Sequence, residues 1–400
     1  MKILIMNNYY YPNMMGGAEY SVQLLAEQLA QIGHEVYVLS MDGDRNTDVT
    51  KAEMIHGVYV YRSFSKPIYR RRILNDKSHV TDKLLNGWHS IRNRKMNADV
   101  KRVINFVRPD IIHTQNLVSM SYWVWKYAYK KSVKVIHTLR DYWLLDPTTN
   151  IGNSPALLTI PFRKYFKTLS NKYVAAVTSP SRHTIELFMR EGYFVHSEVY
   201  VIVNAIKYDE NLLNTCLDEK RNRTSETINF LFVGKASAHK GIELLVKAFI
   251  QCNLNATLTI CGEGDLLDWI KSKQENRIVC LGKLSKENLA DEYRKADVLV
   301  VPSLWEEPFG RIVIEGAQYG VPTIGSNRGG IPEIVNKLNY GDIFEPDEEK
   351  KLENLLYKYS SRRFLKTLCL NGPQHMDLYS TDRQVQCFSE LYKFIRKNSK

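Results

Sequence analysis

Val301–Val335 reads VPSLWEEPFGRIVIEGAQYGVPTIGSNRGGIPEIV, and this stretch decides the fold. It starts from Asp297–Pro302 (DVLVVP), a short, apolar, β-branched run that predicts a buried strand. Beyond a Pro-Phe-Gly turn, Arg311–Tyr319 has helix character. Pro308 is tolerated just ahead of a helix, where the N–H it lacks would be unpaired anyway. Gly310 lets the backbone come close to a ligand. The helix opening therefore offers N–H donors and the positive end of a dipole, a natural anion site. Glu307 lies at its mouth and Glu315 about two turns in. That arrangement suits a ligand with a phosphate and several hydroxyls.

Working outward, strand-like and helix-like segments alternate through both halves of the chain. Strands are expected at 2–6, 35–40, 58–62, 110–114, 133–138, 174–178 and 198–203, then at 228–233, 256–261, 277–281, 297–301 and 321–324. Helical patterns separate them, for example Ala18–Ile32 in the first half and 241–251, 264–274, 285–294 and 310–319 in the second. Strands alternating with helices imply parallel sheets with right-handed crossovers. Two such units in series give two Rossmann-like, doubly wound α/β domains, with ligands beyond the carboxyl ends of the strands and, if the sheets face each other, in the cleft between them. The boundary is expected near 204–223, since Lys207–Ser225 is polar with no clear strand, giving domains 1–206 and 207–383.

Four hundred residues also suit two domains. A hydrophobic fraction of 44% supports packed cores, and no run reaches the length of a spanning helix. The start, MKILIMNNYYYP, is too polar for a signal peptide and reads as a first buried strand. Six cysteines without a Cys-x-x-Cys pair argue against a metal site or a disulfide framework, so a cytoplasmic location is expected. The net charge of +12 is uneven: residues 1–200 carry 27 Lys and Arg against 16 Asp and Glu, and the remainder 28 against 27. The field of the first half attracts anionic partners. Between Lys66 and Lys101 basic residues alternate with apolar ones, a pattern that suits either peripheral contact with an anionic membrane or an ordinary helix on the sheet. No nucleic-acid motif accompanies the charge, and none is expected to bind.

Further candidate residues lie at the ends of expected strands. Phe232–Gly241 (FVGKASAHKG) places Gly234 in a turn and Lys235 and Lys240 around a short loop before a helix, a clamp for a diphosphate. Gly262 and Gly264 follow one strand, and Gly282-Lys283-Leu284 another. Gly16 and Gly17 open a helix after the first strand and expose N–H groups. Asp42-Gly43-Asp44 imitates an Asp-x-Asp metal motif, but loops of this composition are common and no metal is expected.

The Glu-(seven residues)-Glu pair, with its Pro-Phe-Gly insert and the later Gly329-Gly330-Ile331-Pro332-Glu333, resembles the signature of retaining GT-B glycosyltransferases, and most of all glycosyltransferase family 4. The resemblance implies a nucleotide-sugar donor, UDP- or GDP-linked, as co-substrate, with no cofactor or metal. It assigns the ribose to Glu315, the donor sugar to Glu307, and sugar hydroxyls or phosphate to amides around Phe309, Gly310 and Arg311. Lys235 and Lys240 match the phosphate-binding cations, lysine at 235 keeping the charge without the planar fork. Gly262 and Gly264 match a turn beside the nucleotide, Leu284 the segment receiving the base, and Gly16-Gly17 a loop near the diphosphate. It also implies that the final helix, 384–400, returns to the first domain. Gly316 stands where alanine is usual, which is expected only to loosen packing.

The first half matches less closely. Many members carry His-x-His where this chain has His113 and Gln115, so His113 is either catalytic or a buried structural residue. Arg140-Asp141-Tyr142-Trp143 resembles a His-Asp-Tyr-Trp motif with Arg140 in the histidine's place, so Arg140 and Asp141 are expected either to meet the acceptor or to pair with each other. The reaction implied is transfer of a sugar, with its anomeric configuration kept, to a glycan or lipid-linked acceptor in bacterial surface polysaccharide synthesis, at the inner membrane face. A sugar-nucleotide epimerase or hydrolase on the same architecture is the alternative.

Overall fold

The computed structural model describes residues 1–14, 16–43, 47–64, 93–148 and 156–397. The chain divides into two compact units, one built from Met1–Ala205 with the segment from Thr381 onward, the other from Ile206–Ser380.

The first unit holds β1 (Lys2–Met6), β2 (Glu35–Gly43), β3 (Glu53–Ile55), β4 (Val58–Phe64), β5 (Ile111–Thr114), β6 (Lys134–Thr138), β7 (Ala176–Ser179) and β8 (Glu198–Val201). They form one sheet in the order β3-β4-β2-β1-β5-β6-β7-β8, parallel except for the β3–β4 pair. The inner strands are almost wholly apolar, as strands covered on both faces must be. Ile3, Ile5, Val36, Val38, Ile111 and Ile136 pack with Val22, Leu25 and Leu29 of the helix Gly17–Gln31. Phe388, Leu391 and Tyr392 of the helix Thr381–Lys397 complete that core, so the last helix is part of this unit. The strand order reverses between β1 and β5, whose C-terminal ends therefore flank a natural binding position.

The second unit holds β9 (Ile228–Val233), β10 (Ala256–Cys261), β11 (Ile278–Gly282), β12 (Val298–Val301), β13 (Thr323–Ser326) and β14 (Gly341–Phe344). All neighbours are parallel, in the order β11-β10-β9-β12-β13-β14. Counted from β9 this is 3-2-1-4-5-6, the Rossmann order, with its switch point between β9 and β12. Each unit thus has the doubly wound α/β architecture expected from the sequence.

Some elements differ from expectation. The stretch read as a polar linker contains a helix, Glu210–Arg221, capped by Asp209, whose carboxylate accepts from Leu212 N at 3.1 Å. Its Leu213, Cys216 and Leu217 are buried in the second unit. β3 and β14 were not expected: β3 is three residues of mostly exposed edge, and β14 opens on Gly341-Asp342. Asp42 is buried and tied to Arg62 at 2.5 Å and to Asn13 at 3.1 Å, so it clasps β2, β4 and the loop after β1. Asp44 and most of the basic stretch 66–101 lie outside the described residues.

Candidate active site

In the second unit the loops after β9, β10, β12 and β13 press against one another. A Cβ on Gly262 would lie 1.8 Å from the carbonyl oxygen of Gly234, and one on Gly264 2.2 Å from that of Ala236. Gly241 and Gly329, at φ +71° and +60°, meet the carbonyls of Pro302 and Glu307 as closely, at 1.7 and 2.0 Å. These glycines are therefore explained by loop-on-loop packing, not only by room for a ligand. Hydrogen bonds seal the same seams: Leu304 N donates to His239 O at 2.9 Å and Gly330 N to Glu307 O at 2.7 Å. Gly316 is also more than loosened packing, since Leu299 already fills the space to 3.0 Å from where an alanine methyl would sit.

This packing puts Lys240, at the end of the short turn after β9, against Glu307 beyond β12. Their side chains form an ion pair, and Lys240 Nζ also lies 5.2 Å from the centre of the Trp305 ring. Ser303 donates to the same Glu307 carboxylate at 3.2 Å. Lys235 is half-buried on the same loop, and both lysines, with burial foremost, push the intervening His239 toward its neutral form. Phe309 is buried against Tyr379, and Gly310, at φ +98°, starts the helix Arg311–Gln318. The amides of Phe309 and Gly310 donate to no group among the described residues, so this end of the sheet keeps N–H donors available beside Lys240. Glu315 accepts from Arg311 Nε at 2.6 Å and from the Tyr293 hydroxyl at 3.3 Å. Leu284 is half-buried past the end of β11.

Sequence reasoning missed Ser303, Trp305 and Tyr293, because the fold brings Ser303 and Tyr293 to the glutamates and Trp305 to Lys240. It missed Glu306 and Arg328 for the same reason. Glu306 accepts from Gly329 N at 2.5 Å, and Arg328 reaches Asp347 at 2.7 Å and Glu345 at 3.4 Å, bracing the glycine loop.

In the first unit, Gly16 and Gly17 open the helix after β1, and Gly16 N donates to Glu19 at 2.9 Å. Glu19, two residues beyond Gly17, is buried, and burial raises its pKa. It lies within electrostatic reach of Arg140 and Asp141, at the end of β6. Arg140 donates to Gln115 and to Asn204, each at 2.7 Å. Asp141 accepts from Asn116 at 2.8 Å and from Trp143 N at 2.9 Å.

His113 is fully buried, with Nδ1 2.6 Å from the Tyr392 hydroxyl and Nε2 2.7 Å from Thr138 Oγ1. Burial, then Arg140 and His137, hold its pKa well below the usual histidine range. The ring has both nitrogens engaged inside the core and ties β5 to the last helix. Gln115 is buried as well and bonds both His113 and Arg140.

Asp141 gives a direct check on this half. Burial pushes its carboxyl up to about 6. A raised carboxyl pKa favours the protonated form in the folded state. The stability tied to it is therefore complete below the ordinary aspartate value and is lost as pH rises through about 6. Carbon-detected NMR should show the Asp141 carboxyl titrating near pH 6; a midpoint at or below about 4, the ordinary aspartate value, would contradict its burial.

Residues 216–367 match the family described as Glycosyl transferases group 1, and residues 15–210 match Glycosyltransferase Family 4. An uncharacterised 42.6 kDa protein in the cps region of Klebsiella pneumoniae is 31% identical over 84% of this chain and 88% of its own length. Among solved structures, sucrose-phosphate synthase from Thermosynechococcus elongatus superimposes with a TM-score of 0.76 over 98% of both chains at 20% identity. Anabaena Alr3699/HepE in complex with UDP-glucose does so at 0.66, over 98% of this chain and 100% of that one, at 19% identity. Taken with the two Rossmann sheets and the paired glutamates beyond β12, these matches show that the chain belongs to the GT-B glycosyltransferases of the family 4 type.

Proposed function

We propose that the protein is a retaining glycosyltransferase that moves a sugar from a nucleotide-sugar donor, UDP- or GDP-linked, to a glycan or lipid-linked acceptor in surface polysaccharide synthesis. The observation that carries this reading is the Lys240–Glu307 pair beside the open amides of Phe309 and Gly310, at the switch point of a Rossmann sheet. Departure of the nucleoside diphosphate builds negative charge on the leaving phosphate. Lys240, Lys235 and the helix opening at Gly310 would stabilise it. Glu307, oriented by Ser303 and Lys240, would bond the donor sugar, and Glu315 the ribose. Attack from the face the phosphate leaves, with that phosphate taking the acceptor proton, keeps the anomeric configuration without a metal or a covalent sugar–enzyme bond. The polar group of Glu19, Arg140 and Asp141 would meet the acceptor.

The cps setting of the Klebsiella relative supports the polysaccharide pathway, and the UDP-glucose held by the Anabaena protein supports the donor class. Among the described residues no helix is long and apolar enough to cross a membrane, and the basic first half supports peripheral contact with anionic lipid. The test is a calorimetric screen of nucleotide sugars followed by transfer with the tightest binder. A product with the donor's anomeric configuration, read by proton NMR, is expected. An inverted product would refute retention, and free sugar released without acceptor would favour a hydrolase.

A further inference from the structure

Glu315 is the more heavily restrained of the two signature glutamates. One carboxylate oxygen accepts from Arg311 Nε at 2.6 Å and the other from the Tyr293 hydroxyl at 3.3 Å. The two donors come from different elements: Arg311 opens the helix that carries Glu315, and Tyr293 comes from the helix Lys286–Lys295 ahead of β12. Tyr293 is 2% exposed and stacks on Tyr319 at 5.5 Å with 7° between the planes, so its ring is held independently of the bond it makes. The Arg311 side chain is 11% exposed and that of Glu315 26%, so the carboxylate faces outward over a fixed base. Cys261, the last residue of β10, lies within electrostatic reach of the tyrosine.

Each carboxylate oxygen accepts two hydrogen bonds. With one lone-pair direction on each oxygen taken from below, one on each remains. Burial and the Glu315 charge hold Tyr293 protonated, and an arginine does not lose its proton, so both donors are permanent. A carboxylate restrained in this way can only accept, at two adjacent points, which is the complement of a vicinal diol. We propose that Tyr293 and Arg311 are positioning residues that lock Glu315 to read the 2′,3′-diol of the donor ribose, so that the site selects ribonucleotides over 2′-deoxyribonucleotides. This rests on the reading of Glu315 as the ribose-binding residue.

The experiment is isothermal titration of UDP and GDP and of their 2′-deoxy counterparts into the full chain, followed with whichever base binds more tightly. Loss of one hydrogen bond to a charged group should weaken the deoxy form by about 10- to 100-fold in the wild type. Tyr293→Phe removes only a hydroxyl from a ring that Tyr319 still supports. It should bring the preference below about threefold while leaving affinity for the deoxy form nearly unchanged. Arg311→Met should also lower the preference by releasing the other oxygen, and thermal melts establish that each variant is folded. If Glu315→Gln abolishes the preference while both other variants retain it in full, the positioning role is overturned and the ribose reading stands. If the wild type shows no preference, or if Glu315→Gln leaves it unchanged, the ribose reading itself falls and the inference with it.

Discussion

Replacing Lys240 by alanine should slow sugar transfer by on the order of 100-fold, the effect of removing one preorganised charge from a developing oxyanion. The effect follows from where the lysine sits. It is carried on a turn locked to the loop after β12 through His239 O, which accepts from Leu304 N at 2.9 Å and Trp305 N at 3.1 Å. Little reorganisation is therefore needed when charge develops on the leaving phosphate. Lys240 is matched by Glu307, so a donor diphosphate must take over a cation already paired. Removing the lysine also leaves the Glu307 side chain, 14% exposed, with Ser303 as its one hydrogen-bond donor among the described residues, which should raise KM for the donor as well. Lys247, an exposed residue paired with Glu243 one helical turn away, is the control: Lys247→Ala should leave turnover unchanged. Steady-state kinetics with the cognate donor decide the point, and equal rates for the two variants would remove Lys240 from the mechanism.

The second large effect is structural. Gly329→Ala should destabilise the fold by about 2–4 kcal/mol, because it combines left-handed backbone strain with a steric clash. Gly329 has φ +60°, and its added methyl would meet the Glu307 carbonyl at 2.0 Å. The loop cannot simply move away, since Gly330 N donates to that carbonyl at 2.7 Å and Gly329 N to Glu306 at 2.5 Å. Relief must come from displacing Glu307, so activity should fall along with stability. Gly282 separates the two causes: its φ is +69° but an added Cβ would meet nothing within 4 Å. Gly282→Ala should cost only the conformational strain, about 1–2 kcal/mol. Chemical denaturation of both variants checks the difference, and equal losses would show that the loop contact carries no weight.

The fold was legible wherever hydrophobic runs were short, β-branched and closed by a turn. β9 and β10 fall at 228–233 and 256–261, the ranges read from sequence, because each is an apolar run ended by glycine. β14 was not legible, since Gly341-Asp342-Ile343-Phe344 becomes a strand only by pairing with β13. The helix Glu210–Arg221 was hidden by its polarity, though the Asp209 cap was there to be read. The two glutamates and two lysines were visible as types at a spacing, but the Lys240–Glu307 bond spans 67 positions and belongs to the sheet order alone. Glycine was the least legible residue: Gly262 and Gly264 read as a turn beside the nucleotide, and the structure adds a carbonyl neighbour to each. His113 shows the same limit, because Thr138 and Tyr392, which bond its two ring nitrogens, lie 25 and 279 positions away.

The most direct test is amide-detected NMR of the isotopically labelled chain during titration with UDP and with GDP. One of the two nucleotides should shift the amides of Phe309, Gly310, Lys240 and Leu284 together, saturably and in one-to-one proportion, while amides in β7 and β8 stay in place. Saturable binding that leaves Phe309, Gly310 and Lys240 unmoved would contradict the assignment of the donor diphosphate to the loops beyond β9 and β12.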